Sequence, residues 1–287
     1  MCSRFLSLTS PSAGARCPRS RFVSARCLTS RFVSVLLGIV ALIALPGGAS
    51  TLRVCADPDN LPYSKTDGSG FENRIAVLVA ESLGATLEYH WFPDRRGFLR
   101  KTLNARVCDL VIGLPAQSEH VATTRPYYRA TYVLAYRADR VEDLLSLDDP
   151  RLRTLSVGVA LVGNDLAATP PAHALALRGI TNNVVGFPMF GDGTATERMT
   201  AALTNGTIDV AIMWGPQAGY FAQRSPHRIE LVPLHANGDE PFEFDIAMGV
   251  RRDDVPLARD VDAALQKLQP RIDRILDDFA VVRTVSR

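Results

Sequence analysis

Asp57, Asn60 and Tyr63 stand three residues apart in a loop directly after an apolar stretch, residues 52–56. A carboxylate, an amide and a phenol at that spacing suit the holding of a polar ligand. A second group, Trp91, Phe92, Pro93, Arg95, Arg96, Gly97, Phe98 and Arg100, mixes aromatic rings with guanidinium groups. Trp91, Arg95 and Arg96 fit an anion or aromatic-ligand clamp, or a protein-contact patch. The plainer alternative is a surface loop whose arginines pair with nearby carboxylates. Gln117 follows Gly113–Pro115, and Trp214 ends the strand-like DVAIM run, both where a strand meets the next element. A core tryptophan is the common alternative for Trp214. Thr194 closes a glycine-bearing turn, Gly191–Asp192–Gly193, that feeds a helix. Its free N–H groups can hold a carboxylate or phosphate, or Thr194 is an ordinary cap.

Bond-making chemistry has little to stand on. The five histidines, His90, His120, His173, His227 and His235, show no zinc spacing such as HExxH, and no GxSxG or Walker sequence occurs. No metal or cofactor site is expected.

Residues 1–50 contain six arginines and no acidic residue, followed by an apolar run and PGGAS. This is the pattern of a cleaved secretory signal, and the run is shorter than the roughly 20 residues of a membrane span. No lipobox precedes Cys55, so no stable membrane anchor is expected. Without that leader 26 basic residues (32 less six) face 30 acidic ones, a net charge of −4. Such a balance argues against nucleic acid as a partner. Cys55 and Cys108 are the cysteines left after the leader. In an oxidising compartment the pair predicts a disulfide between neighbouring strands, the alternative being two buried thiols.

The elements that must position these residues alternate strand and helix, which indicates an α/β architecture. Strands are expected at 52–56, 86–92, 109–114 and 131–136, with helices beginning near Phe71 and covering 97–106. Residues 138–150 are charged and end in proline, and are expected to be a linker. A second set follows, with strands at 155–159, 184–187, 209–214 and 229–234 and helices around 171–178 and 194–204. A return strand at 244–250 leads to two helices hinged at Pro270. The expected division is 1–50 signal peptide, 51–138 and 242–287 first lobe, 139–241 second lobe, with an interlobe cleft as the ligand site.

This order of elements resembles the type II periplasmic solute-binding proteins over the whole mature chain. In their amino-acid-binding branch the loop after the third strand reads G-x-S-x-T-x-x-R, and its arginine grips the ligand carboxylate. Here the matching positions are Gly113, Pro115, Gln117 and His120. That branch also places an aspartate, for the ligand amine, where this chain has Trp214. Both charge partners of a zwitterion are missing. The segments RVCADPDNLPYS, WFPDRRGFLRKTLN, TTRPYYRATYV and FGDGTATERM resemble more closely the quinoprotein (methanol) dehydrogenase-associated substrate-binding proteins of the MoxJ/XoxJ type. That resemblance implies a non-catalytic periplasmic partner of a pyrroloquinoline-quinone (PQQ)-dependent alcohol (methanol) dehydrogenase, aiding its maturation or activation.

Two other classes stand beside this expectation. One is the solute-binding subunit of an ABC transporter, delivering a small non-amino-acid ligand to a permease. The other is an enzyme on the same scaffold, which needs a cleft carboxylate with a raised pKa. Glu72 and Asp57 are the candidates, although a glutamate at a helix start is already explained by the helix dipole.

Overall fold

The computed structural model describes residues 50–162, 167–189, 191–235 and 240–284. The expected leader, Ser50 apart, lies outside the described residues. β1 (Ser50–Ala56) leads through the hairpin of β2 (Asp59–Asn60) and β3 (Ser64–Lys65) into α1 (Phe71–Ser82) and β4 (Ala85–Trp91). The single-turn α2 (Phe98–Lys101), β5 (Leu110–Pro115), β6 (Ala122–Thr123) and β7 (Tyr128–Arg137) follow. A 3-10 turn at Pro150–Arg153 precedes β8 (Val157–Val162), β9 (Ala167–Ala168), α3 (Pro170–Leu177) and β10 (Val184–Pro188). Then come α4 (Ala195–Asn205), β11 (Val210–Trp214), α5 (Gly215–Gln223), β12 (Ile229–Pro233), β13 (Glu243–Val250) and α6 (Val255–Asp278).

The fold is a two-lobed α/β architecture. β1 lies between β4 and β5, all parallel, and β8 lies between β10 and β11, all parallel. Two antiparallel strands join these halves, and each changes partner along its length. β7 pairs with β13 through Tyr128–Thr131, then with β11 from Tyr132 onward. β13 pairs with β7 up to Ile246 and with β5 from there to Val250. One apolar cluster draws on 52–130 and 246–281, with α1 and α6 laid on the first half. Two others draw on 133–242 and sit around the second half.

Cys55 and Cys108 form a disulfide, with Cα atoms 5.5 Å apart. β1 and β5 are hydrogen-bonded neighbours, and that spacing suits the bond.

Three local expectations are corrected. Only Phe98–Lys101 of the helix expected over 97–106 is α-helical, because a left-handed Gly97 and turns beyond Lys101 shorten it. Residues 138–150 are no solvated linker: Val141, Leu144 and Leu147 are buried in the second half's core. The two helices expected around Pro270 are one continuous α6. Val261, Leu265, Leu268, Ile272 and Leu276 face the core from both sides of the proline, and Pro270 itself is exposed. An internal proline costs about 3 kcal/mol. Burying five such side chains is worth about 1.5–3 kcal/mol each, which outweighs it.

Candidate functional site

The parallel strands β1, β4 and β5 end at one edge, where loops and the start of α1 present side chains. Asp57 follows β1. Its carboxylate accepts from the Asp59 N–H at 2.9 Å and from the Asp94 N–H at 2.6 Å, tying the loops after β1 and β4 together. Glu72 is the second residue of α1, and its backbone N–H donates to the Tyr63 carbonyl at 2.9 Å. Its carboxyl lies over Gly113 at the end of β5: a Cβ built there would sit 2.0 Å from Oε1. Gly113 is thus needed both for its left-handed φ of 81° and for that close approach.

Aromatic rings wall this edge. Tyr63 packs on Phe71 at 5.2 Å, and Phe71 on Tyr128 at 6.5 Å. From the other half Trp214, at the end of β11, stacks edge-on to Tyr132 at 5.1 Å and to Phe244 at 5.7 Å. Trp214 acts against burial on the Tyr63 hydroxyl, so the two halves approach each other here. Trp91 stacks on Tyr89 at 4.5 Å. Tyr63, Glu72, Trp91, Tyr132, Trp214 and Phe244 all keep partial exposure, as a wall facing an opening does.

The electrostatics are those of a carboxyl group held among phenols. Burial pushes the Glu72 carboxyl well above the usual range, and the charge of Asp94 adds to the effect. Asp94 has solvent-exposed surface, yet loss of hydration among the surrounding atoms, with the Asp57 charge, raises it to about 6. Tyr63, Tyr89, Tyr127 and Tyr128 are raised first by burial, and all four also feel Glu72. Burial raises Tyr132 to about 12. Among the described residues no group of three or more His, Cys, Asp or Glu side chains could hold a metal ion.

The remaining expected residues stand apart from this group or have structural duties. Asn60 lies in the β2–β3 hairpin, where its carbonyl accepts from the Tyr63 N–H at 2.9 Å. Arg95 and Arg96 are exposed on the loop after β4, and Gln117 is exposed on the turn after β5. Thr194 caps α4 by accepting from the Glu197 N–H at 3.1 Å. In the turn before it the Asp192 and Gly193 carbonyls accept from Arg198, whose guanidinium closes the turn on itself. A hollow of about 450 Å³, lined by Leu52, Leu83, Asp109 and Leu257 among others, lies at the amino ends of β1 and β4, away from this edge. Tyr132, Tyr127 and Phe244 were not singled out from the sequence, and the tyrosine-rich TTRPYYRATYV segment was the signal available for the first two.

A two-lobed α/β chain with ligand-type groups gathered where its halves meet is a periplasmic binding protein of type II. The family model for bacterial extracellular solute-binding proteins, family 3, matches residues 52–280, and the chain belongs to that family. Protein MoxJ of Methylorubrum extorquens is 35% identical over 245 residues, 81% of this chain and 81% of that protein. The crystal structure of periplasmic binding protein XoxJ from Methylobacterium extorquens AM1 superposes with a TM-score of 0.70 at 35% identity, over 82% of this chain and 100% of that one. MxaJ from Methlophaga aminisulfidivorans MPT does so with a TM-score of 0.68 at 25% identity, over 82% and 100%.

Proposed function

We propose that this chain is a non-catalytic periplasmic protein that engages a PQQ-dependent methanol dehydrogenase and aids its maturation or activation, with the aromatic edge receiving a segment of that enzyme. The reading is supported by similarity to MoxJ over four-fifths of the chain, together with the four resembling segments. The observation that carries it is the make-up of the cleft: an aromatic wall and unmatched carboxylates, with exposed Gln117 and His120 where a carboxylate clamp would stand. The proposed lobes are 51–138 with 242–287, and 139–241, hinged within β7 and β13. Residues 1–50 are the proposed export signal.

The test is interferometry of the mature protein against the cognate dehydrogenase in apo and PQQ-loaded forms. Replacing Trp91 and Arg95 together with Ala is expected to weaken binding by about 2 kcal/mol, with an unchanged melt as the folding control. Binding by no form of the enzyme would return the chain to the role of a transporter subunit, which its family membership also supports. One observation favours a catalytic reading, the raised Glu72 carboxyl beside Tyr63. That reading requires turnover that Glu72→Gln abolishes.

A further inference from the structure

The run from Asp94 to Lys101 carries Arg95, Arg96, Arg100 and Lys101 against the single acid Asp94, and all four cations are exposed. Elsewhere in the molecule arginines are met by carboxylates, as at Arg53–Asp109, Arg151–Asp149 and Arg178–Asp148. Among the described residues Arg96, Arg100 and Lys101 make no ion pair. Two of them are placed by other means. The Arg100 guanidinium lies over Gly97, where a Cβ would stand 3.3 Å from Nη2, and Gly97 has a left-handed φ of 88°. The Lys101 ammonium lies 5.6 Å from the centre of the Phe92 ring. The Asp57 carboxylate, bonded to the Asp94 N–H, is taken up by that group and the Asp59 N–H. The segment that carries these charges is also anchored. Phe98, Leu103, Cys55 and Cys108 belong to a small apolar cluster of their own, with Phe92 and Leu99 packed on it and the two cysteines bonded within it.

We infer that Arg96, Arg100 and Lys101 form a docking patch for a short acidic segment of a partner protein, whose Asp or Glu side chains they hold. The patch deepens the partner reading given above, naming the chemistry of the contact, and rests on it. A guanidinium fork holds a carboxylate in two parallel bonds. Cations fixed over a glycine and a ring, on an anchored segment, lose less freedom on binding than side chains on a loose loop. Trp91, half-buried just before the patch in the chain, adds apolar area of the kind that dominates protein contacts. The charge around the patch sets the size of the occupant. Outside the leader and these four cations, 22 basic residues (26 less four) face 30 acidic ones. An extended polyanion, such as a lipid bilayer or a nucleic acid, reaches past the patch onto that acidic surface and is repelled. A short acidic segment meets the patch alone.

Fluorescence anisotropy with fluorescein-labelled hexa-L-glutamate and the full mature protein, at about 20 mM NaCl, tests the patch. Arg96→Glu with Arg100→Glu is expected to weaken binding at least about tenfold at an unchanged melting temperature. The charge-keeping pair Arg96→Lys with Arg100→Lys should stay within about threefold of the wild type, as should Arg252→Glu with Lys267→Glu, two exposed cations outside the patch. No binding of hexaglutamate at about 1 mM, or an equal loss in the Arg252 and Lys267 variant, overturns the inference. So does sedimentation of the protein with phosphatidylglycerol vesicles that the patch reversal abolishes, because the patch then serves a membrane. Against the cognate dehydrogenase the same reversal should slow association at least about tenfold and flatten its salt dependence. The two readings fail separately. Dehydrogenase binding that is indifferent to the reversal removes the patch alone, whereas hexaglutamate binding at the patch without binding of any dehydrogenase form removes that partner alone.

Discussion

Glu72 shows two effects opposed on one carboxyl. The amino end of α1 favours its ionised form by about 0.3–1 kcal/mol, which made the helix dipole a sufficient reason for its presence. Burial acts the other way, and full burial can move a carboxyl by several units. The net direction is upward, so desolvation dominates. Asp94 is moved the same way, and its window can be named. It titrates at about 6 in the folded chain and at about 3.9 when unfolded. Between those values the folded state holds the extra proton, so Asp94's contribution to stability falls as pH rises through the window and its penalty is complete above it. Asp94→Asn should stabilise the protein at pH 7 by on the order of 1 kcal/mol, after allowance for solvent at this exposed group. The gain should fade below about pH 4. Urea denaturation at pH 7 and pH 4 checks this, and an equal effect at both values contradicts it.

At the scale of elements, the join between the halves is more than two strands. Beyond α6 the chain passes beside α5 and reaches β7, where Arg283 bridges to Ala130 and the Thr284 N–H donates to the Arg129 carbonyl at 3.0 Å. α5 admits it through glycines on one face. A Cβ on Gly219 would lie 1.8 Å from the Ala280 carbonyl oxygen, and one on Gly215 2.5 Å from that of Thr131. These are backbone atoms, so relief requires the segment to move. Gly219→Ala is accordingly expected to destabilise by about 1–3 kcal/mol despite the better helix propensity of alanine. Hydrogen exchange should show the lost protection concentrated at residues 280–284 and in β7. An unaltered melt and exchange pattern would mean that the tail is no part of the hinge.

At the scale of the molecule, the disulfide and the cleft lead to two expectations. Cys55 and Cys108 lie 53 residues apart, and closing a loop of that length restricts the unfolded chain by about 4 kcal/mol on the chain-entropy account. Denaturation with and without reductant should show a loss of that order. Two thiols titrating in the unfolded, unreduced protein would refute the bond. On the proposed reading the cleft should reject common free amino acids, since the resemblance to the amino-acid-binding branch puts His120 and Trp214 where charge partners would be needed. A charge taken from water without a partner costs several kcal/mol. Low-micromolar binding of any of them in calorimetry would overturn this.

What the sequence by itself determined is what local pattern encodes. The strand and helix order, the capping of α4 by Thr194 and the pairing of the two cysteines were all legible there. Each depends on residues near in the chain or on a few defined spacings. Periodicity and polarity misled at 138–150 and at Pro270, because packing against residues far away in sequence outweighed the local signal. The grouping of Glu72, Tyr63, Tyr127, Tyr132, Trp214 and Phe244 was decided by tertiary structure alone. Those residues come from α1, the loops before it and before β7, and from β7, β11 and β13, and no spacing in the sequence states that β7 and β13 change partners midway. The raised Glu72 carboxyl follows from the same fact, since desolvation is set by everything packed around a group rather than by its neighbours in the chain.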